Sequence, residues 1–121
     1  MVMLDANMIL RYLLNDNQEM ADKAEQYLDA GNVMVTIEVI AEVVYVLKGV
    51  YSMGRDEIVD TVKGFLEMVD CSEMDVLKIA LDTYKDCKLD FVDCVLYGYH
   101  SFKGTEIATF DKKLLNLLAD H

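Results

Sequence analysis

Carboxylates recur in apolar surroundings along this chain. Asp5 follows the run MVML, Glu42 sits inside VIAEVVYVL, Asp93 inside FVDCVLY, and Asp111 follows EIATF. An ionised carboxylate in an apolar setting is costly unless a counter-charge compensates it, so these placements ask for one shared explanation. Carboxylates gathered in one place also push each other's pKa upward until a cation joins them. The donors are all oxygen, with neither a cysteine cluster nor a histidine pair, which selects Mg²⁺ or Mn²⁺ over zinc. Such an ion, held by a few carboxylates and a substrate phosphate, supports hydrolysis of a phosphodiester by an activated water, with no protein nucleophile.

Each acid also has a plainer role. Asp5 and Asp111 stand where helix N-caps belong, and Asp90-Phe-Val-Asp93 has the form of a capping box. Glu42 is alternatively a satisfied buried carboxylate or part of a slightly turned helix face, and Glu38, one turn earlier, is a first-turn acid favoured by the helix dipole. Arg11 and Lys112 are candidate contacts to a substrate phosphate. Pairing with a surface acid and simple solvation are their respective alternatives. Tyrosines at 12, 27, 45, 51, 97 and 99 admit base stacking, but core and dimer packing accounts for them first.

The acids need an α/β scaffold to meet, and the apolar pattern supplies one. Short β-like runs alternate with longer helical ones, the mark of a largely parallel sheet. Strands are expected at 2–5, 33–35, 68–69 and 107–109. Helices are expected at 7–14, 18–30 closed by Gly31, 37–48 capped by Thr36, 55–66, 73–87 capped by Ser72, 91–102 capped by Asp90, and 112–118. In a parallel sheet, ligands bind beyond the carboxyl ends of the strands. Asp5 and Asp111 stand at such ends, Glu42 about two turns into the helix after the second strand, and Asp93 in the first turn of the helix before the last strand.

With 121 residues, 54% of them hydrophobic, and no proline or repeat, the chain is expected to form one domain over 1–121. The N-terminal segment is apolar but is broken by Asp5, Asn7 and Arg11 and lacks a basic n-region, so neither a signal peptide nor a spanning helix is expected, and a cytoplasmic location follows. Three cysteines without CxxC spacing read as reduced packing residues. A net charge of −11 argues against broad attraction to nucleic acid or anionic membranes and favours a basic partner.

The segments LDANMILRYLL (4–14), VTIEVIAEVVYVLKGVY (35–51), LDFVDCVLYGYHSFKG (89–104) and IATFDKKL (107–114) together resemble the PIN domain family, and within it the VapC-like toxin ribonucleases of VapBC toxin–antitoxin pairs. The resemblance implies a three-layer α/β/α sandwich around a mainly parallel sheet of four or five strands. It implies a divalent-metal-dependent endoribonuclease whose Mg²⁺ or Mn²⁺ is held by Asp5, Glu42, Asp93 and Asp111. Asn7 and Thr109 match polar positions that support the acids, and Asp90 matches a position that is often acidic. A homodimer bound by a cognate antitoxin is the implied assembly, with RNA as substrate. The chain departs from the pattern at Ala6, where Thr or Ser is usual, at Tyr97 and Tyr99 on a helix that usually carries small residues, and in a short or missing final edge strand.

Two other functions compete. A non-catalytic PIN-like interaction domain would receive a basic peptide in its acidic pocket. A receiver-like phospho-acceptor would need adjacent acids after the first strand and a lysine at the end of the last, where this chain has single Asp5 and Asp111.

Overall fold

Helix boundaries in this chain are set by local side-chain chemistry that can be followed cap by cap. The computed structural model describes residues 1–120, which fall into two units, Met1–Ser72 and the described residues from Glu73 onward.

The first unit begins with β1 (Val2–Met3), α1 (Ala6–Leu14), α2 (Gln18–Ala30) and β2 (Val33–Met34). The strands are parallel, pairing Val2 with Val33 and Met3 with Met34, and two helices make the crossover between them. The Asp5 carboxylate accepts from the Met8 N–H at 2.8 Å to start α1, and Asn15 in the left-handed region (φ 50°) ends it. Asn17 then caps α2 by accepting from Met20 N–H at 3.0 Å, and Gly31 closes it at φ 77°, a conformation that side chains disfavour. Thr36 caps α3 (Ile37–Gly49), accepting from Val39 N–H at 3.2 Å. That helix buries Ile37, Ile40, Val43, Val44 and Leu47, the three-and-four spacing of one helical face. α4 (Arg55–Leu66) buries Ile58, Val59, Val62, Phe65 and Leu66, and Tyr12 of α1 lies against Phe65 with ring centroids 6.2 Å apart.

The second unit contains α5 (Met74–Asp86), α6 (Phe91–Lys103) and α7 (Lys112–Ala119). α5 and α6 make a closely packed pair built on Val76, Leu77, Ala80, Leu81 and Tyr84 against Phe91, Cys94, Val95 and Tyr97, with Tyr84 and Phe91 in edge contact at 5.7 Å. Lys103, pairing with Glu73 at 2.8 Å, ties the end of α6 to the start of α5. Leu114 of α7 is fully buried. Tyr97, a departure from the family pattern, is buried in this helix pair and shapes packing.

Helix positions match expectation within a residue or two, but the sheet does not. Of the four or five strands expected, the described residues form two, each of two residues, and a single parallel bridge between Met34 and Asp70. The third segment arrives late because the chain is still turning out of α4, where Met68 N–H donates to Phe65 O at 3.0 Å. It becomes extended only in time for Val35 N–H to reach Asp70 O at 2.9 Å and Asp70 N–H to reach Val33 O at 2.8 Å. Residues 107–110 alternate between half-buried and exposed, the period of extended chain, yet they form no strand. Alternation is a property of one segment, whereas a strand also needs a ladder of partner hydrogen bonds. Ser72 does not cap α5. Glu73 occupies that position without a side-chain capping bond.

A glycine in α4 provides a test of helix energetics. A Cβ at Gly64 would meet nothing within 4 Å, so Gly64→Ala is expected to stabilise the protein by about 0.5–1 kcal/mol, through lower chain entropy in the unfolded state and better helix propensity. The shift in urea midpoint, at unchanged slope, measures it.

Candidate active site

The acids singled out in the sequence are less buried than their apolar neighbours imply. Asp5, Glu42, Asp90 and Asp111 are exposed and Asp93 is half-buried. The reason is geometric: a helix inside an apolar run still turns through about 100° per residue. In α3 the buried positions 40, 43, 44 and 47 leave Glu38, Glu42 and Tyr45 on the solvent side. The burial penalty that motivated a shared counter-ion is therefore absent at three of the four acids that raised it, Asp5, Glu42 and Asp111.

Mutual repulsion, the other part of the argument, is present. The Asp93 carboxyl is held above its ordinary value by desolvation first, and then by the negative charges of Asp111 and Asp90. α6 supplies Asp93 from its first turn, Asp90 precedes that helix, and Asp111 precedes α7. The second unit thus brings three acids within electrostatic reach of one another. Asp90 makes no side-chain capping bond, so the capping-box reading of Asp90–Asp93 fails and both carboxylates lie outside that role.

Asp111 combines a structural and an electrostatic role. Its Oδ1 accepts from Leu114 N–H at 2.9 Å, starting α7, while its own N–H donates to Thr109 Oγ1 at 3.0 Å. Thr109 therefore supports this acid through the backbone, fixing the turn that presents it. Asp5 caps α1 through one oxygen in the same manner. Capping and metal binding are compatible, since a carboxylate has lone pairs left after accepting one hydrogen bond.

Asn replaces Asp at either cap without losing the acceptor oxygen. Asp111→Asn is therefore expected to leave stability within about 0.5 kcal/mol, because Asn and Asp cap comparably. It also removes one of the charges raising Asp93, so the Asp93 pKa should fall toward its ordinary value. Carboxyl-carbon NMR titration of Asp93 in the two proteins reads this directly. An unchanged Asp93 titration would show that Asp111 exerts no field there.

The remaining candidates are placed as follows. Asn7 is exposed in the first turn of α1. Arg11 makes a bidentate pair with Asp16, its Nη1 at 2.8 and 2.9 Å from the two carboxylate oxygens, the surface-acid partner that the sequence offered as an alternative. Lys112 is exposed at the first position of α7. Phe110, to which the sequence drew no attention, is wholly exposed immediately before Asp111. Its signal was available, an aromatic residue outside any amphipathic pattern and beside a candidate acid.

Among the described residues, no group of three or more His, Cys, Asp or Glu side chains converges as a metal-binding cluster. Donor chemistry nevertheless suits a hard cation: oxygen ligands, and a raised Asp93 pKa whose like-charge component a cation would relieve.

Parallel strands joined by helices define an α/β protein. Residues 2–118 match the PIN domain family, and the chain belongs to that family. PIN domains are generally nucleases and typically use divalent metal ions. Searches of curated proteins and of solved structures return no match to this chain.

Proposed function

We propose that this protein is a divalent-metal-dependent endoribonuclease, the toxin of a toxin–antitoxin pair. The observation that carries the reading is membership of the PIN domain family over residues 2–118; beside it, the second unit places Asp93 in the first turn of α6, within the field of Asp111 and Asp90. Asp93 and Asp111 would hold the ion, with Asp90 beside them; Asp5 and Glu42 are assigned to the metal solely by their match to the family's acids. Mg²⁺ or Mn²⁺, when bound, polarises the phosphate and lowers the pKa of an attacking water. The chain's own part is to hold the acids in place: the Thr109 hydroxyl fixes the backbone of Asp111, and the packing of α6 against α5 fixes Asp93. A homodimer, a cognate antitoxin and a cytoplasmic location complete the reading. No helix among the described residues is long and apolar enough to cross a membrane.

The test is calorimetric titration of Mn²⁺ into the protein free of antitoxin, beside Glu42→Gln and Asp93→Asn, followed by cleavage of a structured-RNA pool. Mn²⁺ binding that both substitutions abolish, with cleavage that requires the metal, is the expected result. Wild-type protein that binds no divalent ion would refute it. That outcome would favour the second reading, to which the charge of −11 lends weight, in which the exposed acids dock a basic partner peptide.

A further inference from the structure

We propose that Phe110 is a platform on which an unpaired base of the RNA stacks next to Asp111, while Lys113 and Lys88 hold phosphates of the same strand. The inference rests on the nuclease reading and names the form of substrate the site accepts, a single-stranded segment. Phe110 is wholly exposed, at 103%. A lone exposed apolar side chain is ordinary, so its setting decides the matter. The Asp111 N–H bond to Thr109 Oγ1 and the Asp111 cap on Leu114 fix the turn immediately after the ring. The backbone of Phe110 is thus ordered before any ligand arrives, which limits the entropy lost on binding. Adjacent Cα atoms are about 3.8 Å apart, so the ring and the Asp111 carboxylate can serve neighbouring parts of one strand.

Charge supplies the second observation. An open groove of about 290 Å³ beside α7 is lined by Lys88 and Lys113, with Asn116, over Leu89 and Leu117. Among the described residues that line it, Asp120 is the only acid, so two cations face one anion in a chain of 22 acids and 11 bases. Lys113 lies two residues after Asp111, which makes the groove continuous in sequence with the turn carrying Phe110. A basic groove whose Lys113 lies three residues after an exposed aromatic supplies the two elements that bind single strands, backbone charge and a stacking face. Bases stacked within a duplex offer no free face to the ring, and sequence-tolerant aromatic stacking therefore favours unpaired RNA.

The test is fluorescence anisotropy of a labelled single-stranded RNA oligonucleotide and its duplex in EDTA, with cleavage kinetics measured on the same proteins with Mn²⁺. Phe110→Ala and Phe110→Leu are expected to weaken single-strand binding by about 5- to 150-fold and to raise KM, while Phe110→Trp retains both. Joint replacement of Lys88 and Lys113 by Ala should lower the slope of log affinity against log salt by about 1.4, roughly 0.7 for each phosphate no longer neutralised. Wild-type affinity in Phe110→Ala would overturn the proposal and leave the nuclease reading intact, provided the wild type still cleaves. A dimer that Phe110→Ala dissociates, with RNA affinity unchanged, would assign the ring to a second copy of the chain and likewise overturn it. Wild-type protein that neither binds nor cleaves RNA would remove the nuclease reading itself. Phe110 contributes no burial, so thermal melting should be unchanged in every Phe110 variant.

Discussion

Asp93→Asn is expected to reduce metal-dependent RNA cleavage by at least about 100-fold and, in metal-free buffer, to raise the melting temperature. The first effect follows from the proposed role of Asp93 as a metal ligand, since even the groups that merely orient a metal's ligands affect affinity or activity by about 10- to 100-fold. The second follows from the electrostatics. Desolvation and the fields of Asp111 and Asp90 raise the folded-state pKa of Asp93 above its ordinary 3.8, so across that window the folded protein binds more protons than the unfolded chain. Stability then falls as pH rises from the unfolded value through the folded one, and at neutral pH the ionised group is a net cost. Asn carries no charge and escapes that cost. The difference in melting temperature between variant and wild type should vanish well below pH 3.8 and grow toward neutrality. Added Mn²⁺ should reverse the order by stabilising the wild type alone. A variant that melts below the wild type at neutral pH without metal would mean that Asp93 makes favourable native contacts and serves the fold.

Gly98→Ala is expected to destabilise the protein by about 1–3 kcal/mol, the usual range for overpacking. Helix propensity alone predicts the opposite sign, because alanine is favoured over glycine within a helix by about 1 kcal/mol. Geometry decides: a Cβ on Gly98 would lie 2.7 Å from Val76 O and 3.1 Å from Val76 Cγ1. The nearer atom is backbone, which cannot rotate aside, so α5 and α6 must separate. That would loosen the contacts of Tyr84, Phe91 and Val95 and displace the helix that carries Asp93. Cleavage should fall as well, and urea unfolding beside Gly64→Ala gives opposite signs for the same chemical change. Equal stabilisation by both would show that the two helices do not approach closely at Gly98.

Much of the local structure was legible because its causes are local. Thr36 and Gly31 mark helix ends through bonds and dihedral preferences that involve only a few neighbouring residues. The three-and-four spacing of Ile37, Ile40, Val43, Val44 and Leu47 reads directly as a buried face. Asp5 and Asp111 were equally readable as caps, and both bonds are present. The segments matching the PIN domain family lie within the residues that the family covers. The sheet was less legible. Apolar segments at 68–69 and 107–109 have the composition of strands, but pairing depends on partners remote in sequence and on where the preceding helix lets go.

Burial of the acids was misread for a related reason. An apolar run looks buried in one dimension, whereas exposure depends on which side of a helix each residue faces and what packs there. From the sequence alone come the family, the helices, and the caps at Asp5, Thr36 and Asp111. Tertiary structure decided that Asp5, Glu42 and Asp111 are exposed and that Asp111 and Asp90 act on Asp93. It also brought α5 and α6 together so closely that only glycine fits at position 98, and it left Phe110 bare beside Asp111. Caps and helical periodicity act over a few residues and are written in order along the chain, while electrostatic fields and steric contact act through space between residues the chain keeps apart.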